Sequence, residues 1–86
     1  MQKETAELVY WEQNNEKRVE KEKWKEILKV IKKGRIIEEW KENVMPYGYM
    51  KCMKIRSKGR TYIVKEWVPA YGYSWNEVEV YRLIHV

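Results

Sequence analysis

Aspartate and phenylalanine are both missing from this 86-residue sequence. Every one of the thirteen acids is therefore Glu, and no Ser-His-Asp triad can be assembled. The single cysteine, Cys52, and the single histidine, His85, lie far apart along the chain. Neither an intrachain disulfide nor a zinc-type Cys/His cluster follows from them. The four glycines are scattered singly among turns, which excludes a glycine-rich phosphate loop. No apolar run approaches the ~20 residues that cross a bilayer, and nothing resembles a secretory signal. These absences predict a soluble, cytoplasmic single domain over residues 1–86, with no catalytic residues, metal, cofactor or membrane contact.

What is abundant is just as informative. Five Trp and seven Tyr must do the burying that Phe would otherwise share. Eighteen Lys and Arg give a formal net charge of +5, compatible with nucleic acid or an acidic protein as partner. Abundant Lys, Glu and Ile beside few Gln and Asn is a thermophile-like composition. In bulk the chain is similar to small Trp- and Tyr-rich proteins of archaeal viruses, although no motif ties it to one family.

Residues 5–12 are β-branched and aromatic and predict a strand, followed by Asn14 and Asn15 as a turn or helix cap. From 16 to 33 the pattern is helical. Trp24, Ile27, Leu28 and Ile31 form an apolar stripe that Glu20 extends, and Gly34 is a natural stop. Residues 35–44 fit either periodicity. Ile36, Ile37, Trp40 and Val44 make a helical stripe, whereas Ile36, Glu38, Trp40, Glu42 and Val44 alternate as a strand. The strand is preferred because Pro46-Tyr47-Gly48 then makes a hairpin to the next segment. Strands follow over 49–56 and 60–68, joined by Ser57-Lys58-Gly59, and over 77–86 after a loop from 69 to 76. The expected class is α+β in the order β-α-β-β-β-β. One amphipathic helix packs on a mainly antiparallel four- to five-stranded sheet.

The feature that points to function is a near-repeat. Pro46-Tyr47-Gly48-Tyr49 returns as Pro69-Ala70-Tyr71-Gly72-Tyr73, followed by Ser74-Trp75. Alternate connections of an antiparallel meander fall at one end of the sheet, so Tyr47, Tyr49, Tyr71, Tyr73 and Trp75 are expected along one rim. Between the copies lies a hairpin from Lys51 to Lys65 carrying Lys51, Lys54, Arg56, Lys58, Arg60 and Lys65 with no acid among them. A basic ribbon can follow a phosphate backbone, and bases can stack on exposed rings. The helix end adds Lys29, Lys32, Lys33 and Arg35, which also suit the negative end of a helix dipole.

Each feature has a blander explanation. The cations could be solvated, edge-protecting lysines, and the rings could fold back to enlarge a small core. Trp24 and Trp40 are assigned to that core, and Cys52, mid-strand, to packing rather than chemistry. A weaker enzymatic reading would have Lys54, Arg56, Arg60, Tyr81 and His85 cut RNA. The leading expectation is a non-enzymatic nucleic-acid-binding protein, for DNA or RNA, in which rings and ribbon form one continuous patch. The rival is a protein-interaction module that meets an acidic partner through the same aromatic surface. Homodimerisation through a free edge strand is a further expectation.

Overall fold

The computed structural model describes residues 4–14, 17–20, 29 and 32–85. Its strands are β1 (Glu4–Gln13), β2 (Lys17–Glu20), β3 (Arg35–Met45), β4 (Gly48–Ser57), β5 (Arg60–Pro69) and β6 (Glu77–His85). They join in one sheet in the order β2-β1-β6-β5-β4-β3, and every neighbouring pair is antiparallel. β3 to β6 form a meander, and the β1–β2 hairpin adds beside β6.

The expected α+β class is overturned, because the described part of the molecule is nearly all sheet. Lys17–Glu20, expected in the first turns of the helix, are instead β2, with Trp11 opposite Val19 and Glu12 opposite Arg18. Asn14 explains the switch. It adopts a left-handed backbone with φ 48°, a conformation Asn tolerates better than most residues, and it folds the chain straight back. Arg18 then reaches Glu12 at 3.4 Å and lies 5.8 Å from the Tyr10 ring. Cross-strand contacts prevail over local helix propensity. The expected stripe of Trp24, Ile27, Leu28 and Ile31 lies outside the described residues. Among those described, no helix is long and apolar enough to cross a membrane.

The ambiguous segment is a strand. β3 is the long edge of the sheet, and Ile36, Ile37 and Val44 on it are exposed. Its pairing with β4 is interrupted between Ile36 and Glu38 and between Glu42 and Met45, where Asn43 has φ 49°. Bulges and charges of this kind blunt an edge against further pairing.

One face of the sheet carries the core. Tyr10 lies opposite Val80, Val80 opposite Val64 and Val64 opposite Met53, a single row across four strands. Ile55 and Tyr62 form the next row. The bulge between Leu8 and Tyr10 adds Val9, so consecutive residues are both buried. In a chain without Phe, Tyr10 and Tyr62 supply the large buried rings. The Tyr10 hydroxyl donates to the Glu12 carboxylate. Burial first, and that bond second, push the phenol up to about 12.

The other face is more polar. Trp40 Nε1 and Lys65 Nζ both donate to Glu42, each at 2.9 Å. Those bonds, Trp40's foremost, hold the Glu42 carboxyl below its ordinary value, and Glu42 in turn raises Lys65. Cys52 lies opposite both Trp40 and Lys65. It is fully buried, and that burial pushes its thiol up. Such a thiol packs and stays protonated.

Candidate functional site

Both Tyr-Gly-Tyr bends emerge at the same end of the sheet. Met45 pairs with Gly48 across the Pro46-Tyr47 turn, and Gly48 pairs with Pro69 at the start of the second bend. The Ala70 amide donates to the Tyr47 carbonyl at 3.0 Å and fastens one bend to the other. Within the second bend the Tyr73 amide donates to the Ala70 carbonyl, with Gly72 at φ 91°. That is the left-handed position glycine fills in a tight turn. Further along, the Asn76 amide donates to Asn14 Oδ1 at 2.7 Å and the Asn14 amide to the Asn76 carbonyl at 2.6 Å. The loop is thus anchored at both ends.

The bends enclose a cleft of about 540 Å³. Its rings are Tyr47, Trp67, Tyr73 and Trp75. Tyr47 stands between two of them, with centroids 5.9 Å from Trp67 and 6.2 Å from Tyr73. Met45 and Met50 add apolar lining, and Glu77 and Glu79 supply carboxylates. Glu77 accepts from Trp11 Nε1 at 3.3 Å and from Trp75 Nε1 at 3.4 Å. Glu79 accepts from the Tyr81 hydroxyl at 3.2 Å, and burial, then Glu79, raise that phenol. Tyr47, Tyr73 and Trp75 remain exposed at 45%, 60% and 43%, so they have not folded into the core.

Two of the expected rim residues take no part in the cleft. Tyr49 pairs with Val68 on the core-bearing face, and the Lys41 ammonium sits 4.6 Å from its ring centroid. Tyr71, at the tip of its bend, is fully exposed. Conversely, sequence reasoning missed Trp67. A signal was present, because Trp67 falls opposite Met50 once Gly48 is paired with Pro69. Gly48 is the glycine that makes room for it. A Cβ there would come within 2.5 Å of the Trp67 ring, and its φ is 150°.

The cationic residues do not join the rings. Ser57 pairs with Arg60 at the far end of β4 and β5, about 30 Å from Gly48 at ~3.3 Å per residue. Arg56, Lys58 and Arg60 are exposed there, together with Arg35, which lies directly opposite Arg56. Lys33, two residues before Arg35, is also exposed. The other expected cations are spread along the sheet. Lys54 lies opposite Glu38, and Lys51 lies between Lys41 and Glu66, while Lys65 is held by Glu42. The expectation of one continuous patch is therefore corrected: the molecule has an aromatic, acidic end and a basic end.

Of the residues of the RNA-cutting reading, Lys54 and Tyr81 both lie opposite Ile63 in mid-sheet, Arg56 and Arg60 flank the hairpin tip, and His85 pairs with Glu4 at the end of β6. Among the described residues no group of three His, Cys, Asp or Glu could hold a metal ion. Comparison with protein families, curated proteins and solved structures finds no match to this chain.

Proposed function

We propose that the protein binds nucleic acid, without an enzymatic step, through the basic end of its sheet. Arg35, Arg56, Lys58 and Arg60 would contact phosphates, and the tyrosines at the other end would not stack on the same ligand. The observation that carries this reading is the direct cross-strand pairing of Arg35 with Arg56. Like charges directly opposite one another cost stability. Lys41 and Lys51 also face each other, but there Glu66 flanks Lys51 on its other side, and Lys54 and Lys65 are offset by Glu38 and Glu42. Among the described residues no acid lies opposite Arg35 or Arg56, and such a pair, beside a turn that adds Lys58 and Arg60, is useful where an anion arrives to separate the charges. Phosphate contacts also require no base-reading side chains, and they release counterions from the nucleic acid.

Fluorescence anisotropy with labelled single- and double-stranded DNA and RNA tests the proposal. Contacts to four phosphates of a duplex should lose roughly 100-fold in affinity between about 50 and 200 mM salt. Tyr47→Ala and Tyr73→Ala should leave that affinity unchanged. If none of the four nucleic acids binds at micromolar protein in low salt, the proposal fails. Equal binding of polyglutamate would replace it with an acidic protein partner.

A further inference from the structure

The cleft between the two bends has a chemistry of its own, and it is the opposite of the basic end. Beside the neutral Asn43 and Ser74, its charged groups are the carboxylates of Glu77 and Glu79, and its apolar groups are mostly π faces. Among the described residues, Glu7, Glu12 and Glu42 form ion pairs with Arg82, Arg18 and Lys65. Glu77 and Glu79 instead accept from the neutral donors of Trp11, Trp75 and Tyr81. Those bonds orient both carboxylates without neutralising them, and Lys65, the cross-strand neighbour of Glu79, is itself held by Glu42. Phosphate would be repelled here, and a purely apolar ligand would desolvate two carboxylates while bringing no charge to offset them. The geometry points to a cation: the cleft binds the methylated ammonium head of a lysine side chain on a basic segment of a partner protein.

Two physical arguments select that group. The faces of Trp and Tyr attract cations through the ring quadrupole, and a quaternary ammonium is the form such rings receive best. An unmethylated ammonium is strongly hydrated and must give up more on leaving water. Tyr47, placed between Trp67 and Tyr73 within 6.2 Å of each, offers a corner of tilted rings rather than a single flat surface. A volume of about 540 Å³ also leaves room for the aliphatic stem and the neighbouring backbone. Met45 and Met50 offer that stem an adaptable apolar wall. The bend that carries Tyr73 and Trp75 is fastened through Ala70 and Asn76, so much of the site stands formed before a ligand arrives.

The test is a titration of the full chain with three amides: Nε-trimethyllysine, unmethylated lysine, and the neutral isostere with carbon replacing the ammonium nitrogen. Binding is read from tryptophan fluorescence and from the indole NH signals in NMR. Trimethyllysine amide should perturb Trp67 and Trp75 saturably and bind roughly tenfold tighter than either of the others. Tyr73→Ala and the near-isosteric Glu77→Gln should each weaken it several-fold, with the thermal midpoint checked so that lost folding is not mistaken for lost binding. No saturable change up to about 10 mM, or equal binding of the neutral isostere, overturns the proposal. Tighter binding of unmethylated lysine overturns it as well, since the rings would then play no part. Arg56→Glu should leave this titration unchanged whatever it does to nucleic acid, so the two sites fail separately.

Discussion

Gly48 shows how one position couples the fold to the cleft. Its bare α-carbon lies beneath the Trp67 indole, and the backbone carbonyl of Val68 would stand 2.7 Å from any added Cβ. Because one of the two obstacles is backbone, a side-chain rotation cannot relieve the clash. Gly48→Ala should therefore cost about 2 kcal/mol, lower the melting temperature by roughly 10 °C, and shift the emission of a displaced Trp67. An unchanged midpoint would show that the close approach is not present in solution. Tyr10 makes a second case at this scale. Its ordinary value is 10.0 and the fold raises it to about 12. The unfolded chain then gives up this proton before the folded one does. The contribution is complete below pH 10 and is lost as pH rises through 12. Denaturant midpoints followed from pH 9 to 12 should fall more steeply for the native chain than for Tyr10→Phe.

Elements were legible wherever alternation and turn chemistry agreed. Val78 and Val80 gave the last strand its inward face, and the Pro46-Tyr47-Gly48 turn decided that residues 35–44 run as β3. The chain from 17 to 20 was misread because its Lys and Glu suit a helix surface and an edge strand equally well. Only the pairing to β1, set by Asn14, separates the two. The separation of rings from cations was legible but overlooked. If alternate connections share one end of a meander, the turn between them must lie at the other end. Trp67 escaped notice for a different reason. A residue on a central strand becomes part of a site only through its register with the next strand, which no local window contains. The hairpin tip carries the prediction for this scale. Lys58 holds φ 51° in a two-residue turn, where Asn fits with less strain. Lys58→Asn should stabilise the fold by about 0.5 kcal/mol in chemical denaturation. It should also weaken nucleic-acid binding several-fold and flatten its salt dependence by about one charge.

Across the whole molecule, a net charge of +5 hides an uneven distribution. Glu79 on β6 lies opposite Lys65, five residues along β5 from Arg60, and Glu77 lies two residues further toward the cleft, so the carboxylates stand about 17 and 23 Å from the basic tip along the strands. That is two to three Debye lengths at physiological salt, where screening sets in near 8 Å. Glu77 and Glu79 therefore neither neutralise the tip nor blunt its attraction for phosphate, and each end keeps its own ligand chemistry. The same separation makes a decisive substitution possible. In Arg56→Glu, the residue opposite Arg35 becomes an attractive cross-strand partner in place of a repelling one. Relief of that repulsion should stabilise the sheet by about 0.5 kcal/mol and raise the melting temperature by a few degrees. Phosphate binding should fall at least tenfold as one contact is lost and a repulsion is gained. A variant that melts higher and binds nucleic acid worse would mark Arg56 as a residue kept for its ligand at the expense of the fold. A variant that melts lower would mean that Arg56 serves the sheet, and the basic end would then have no claim to be a site.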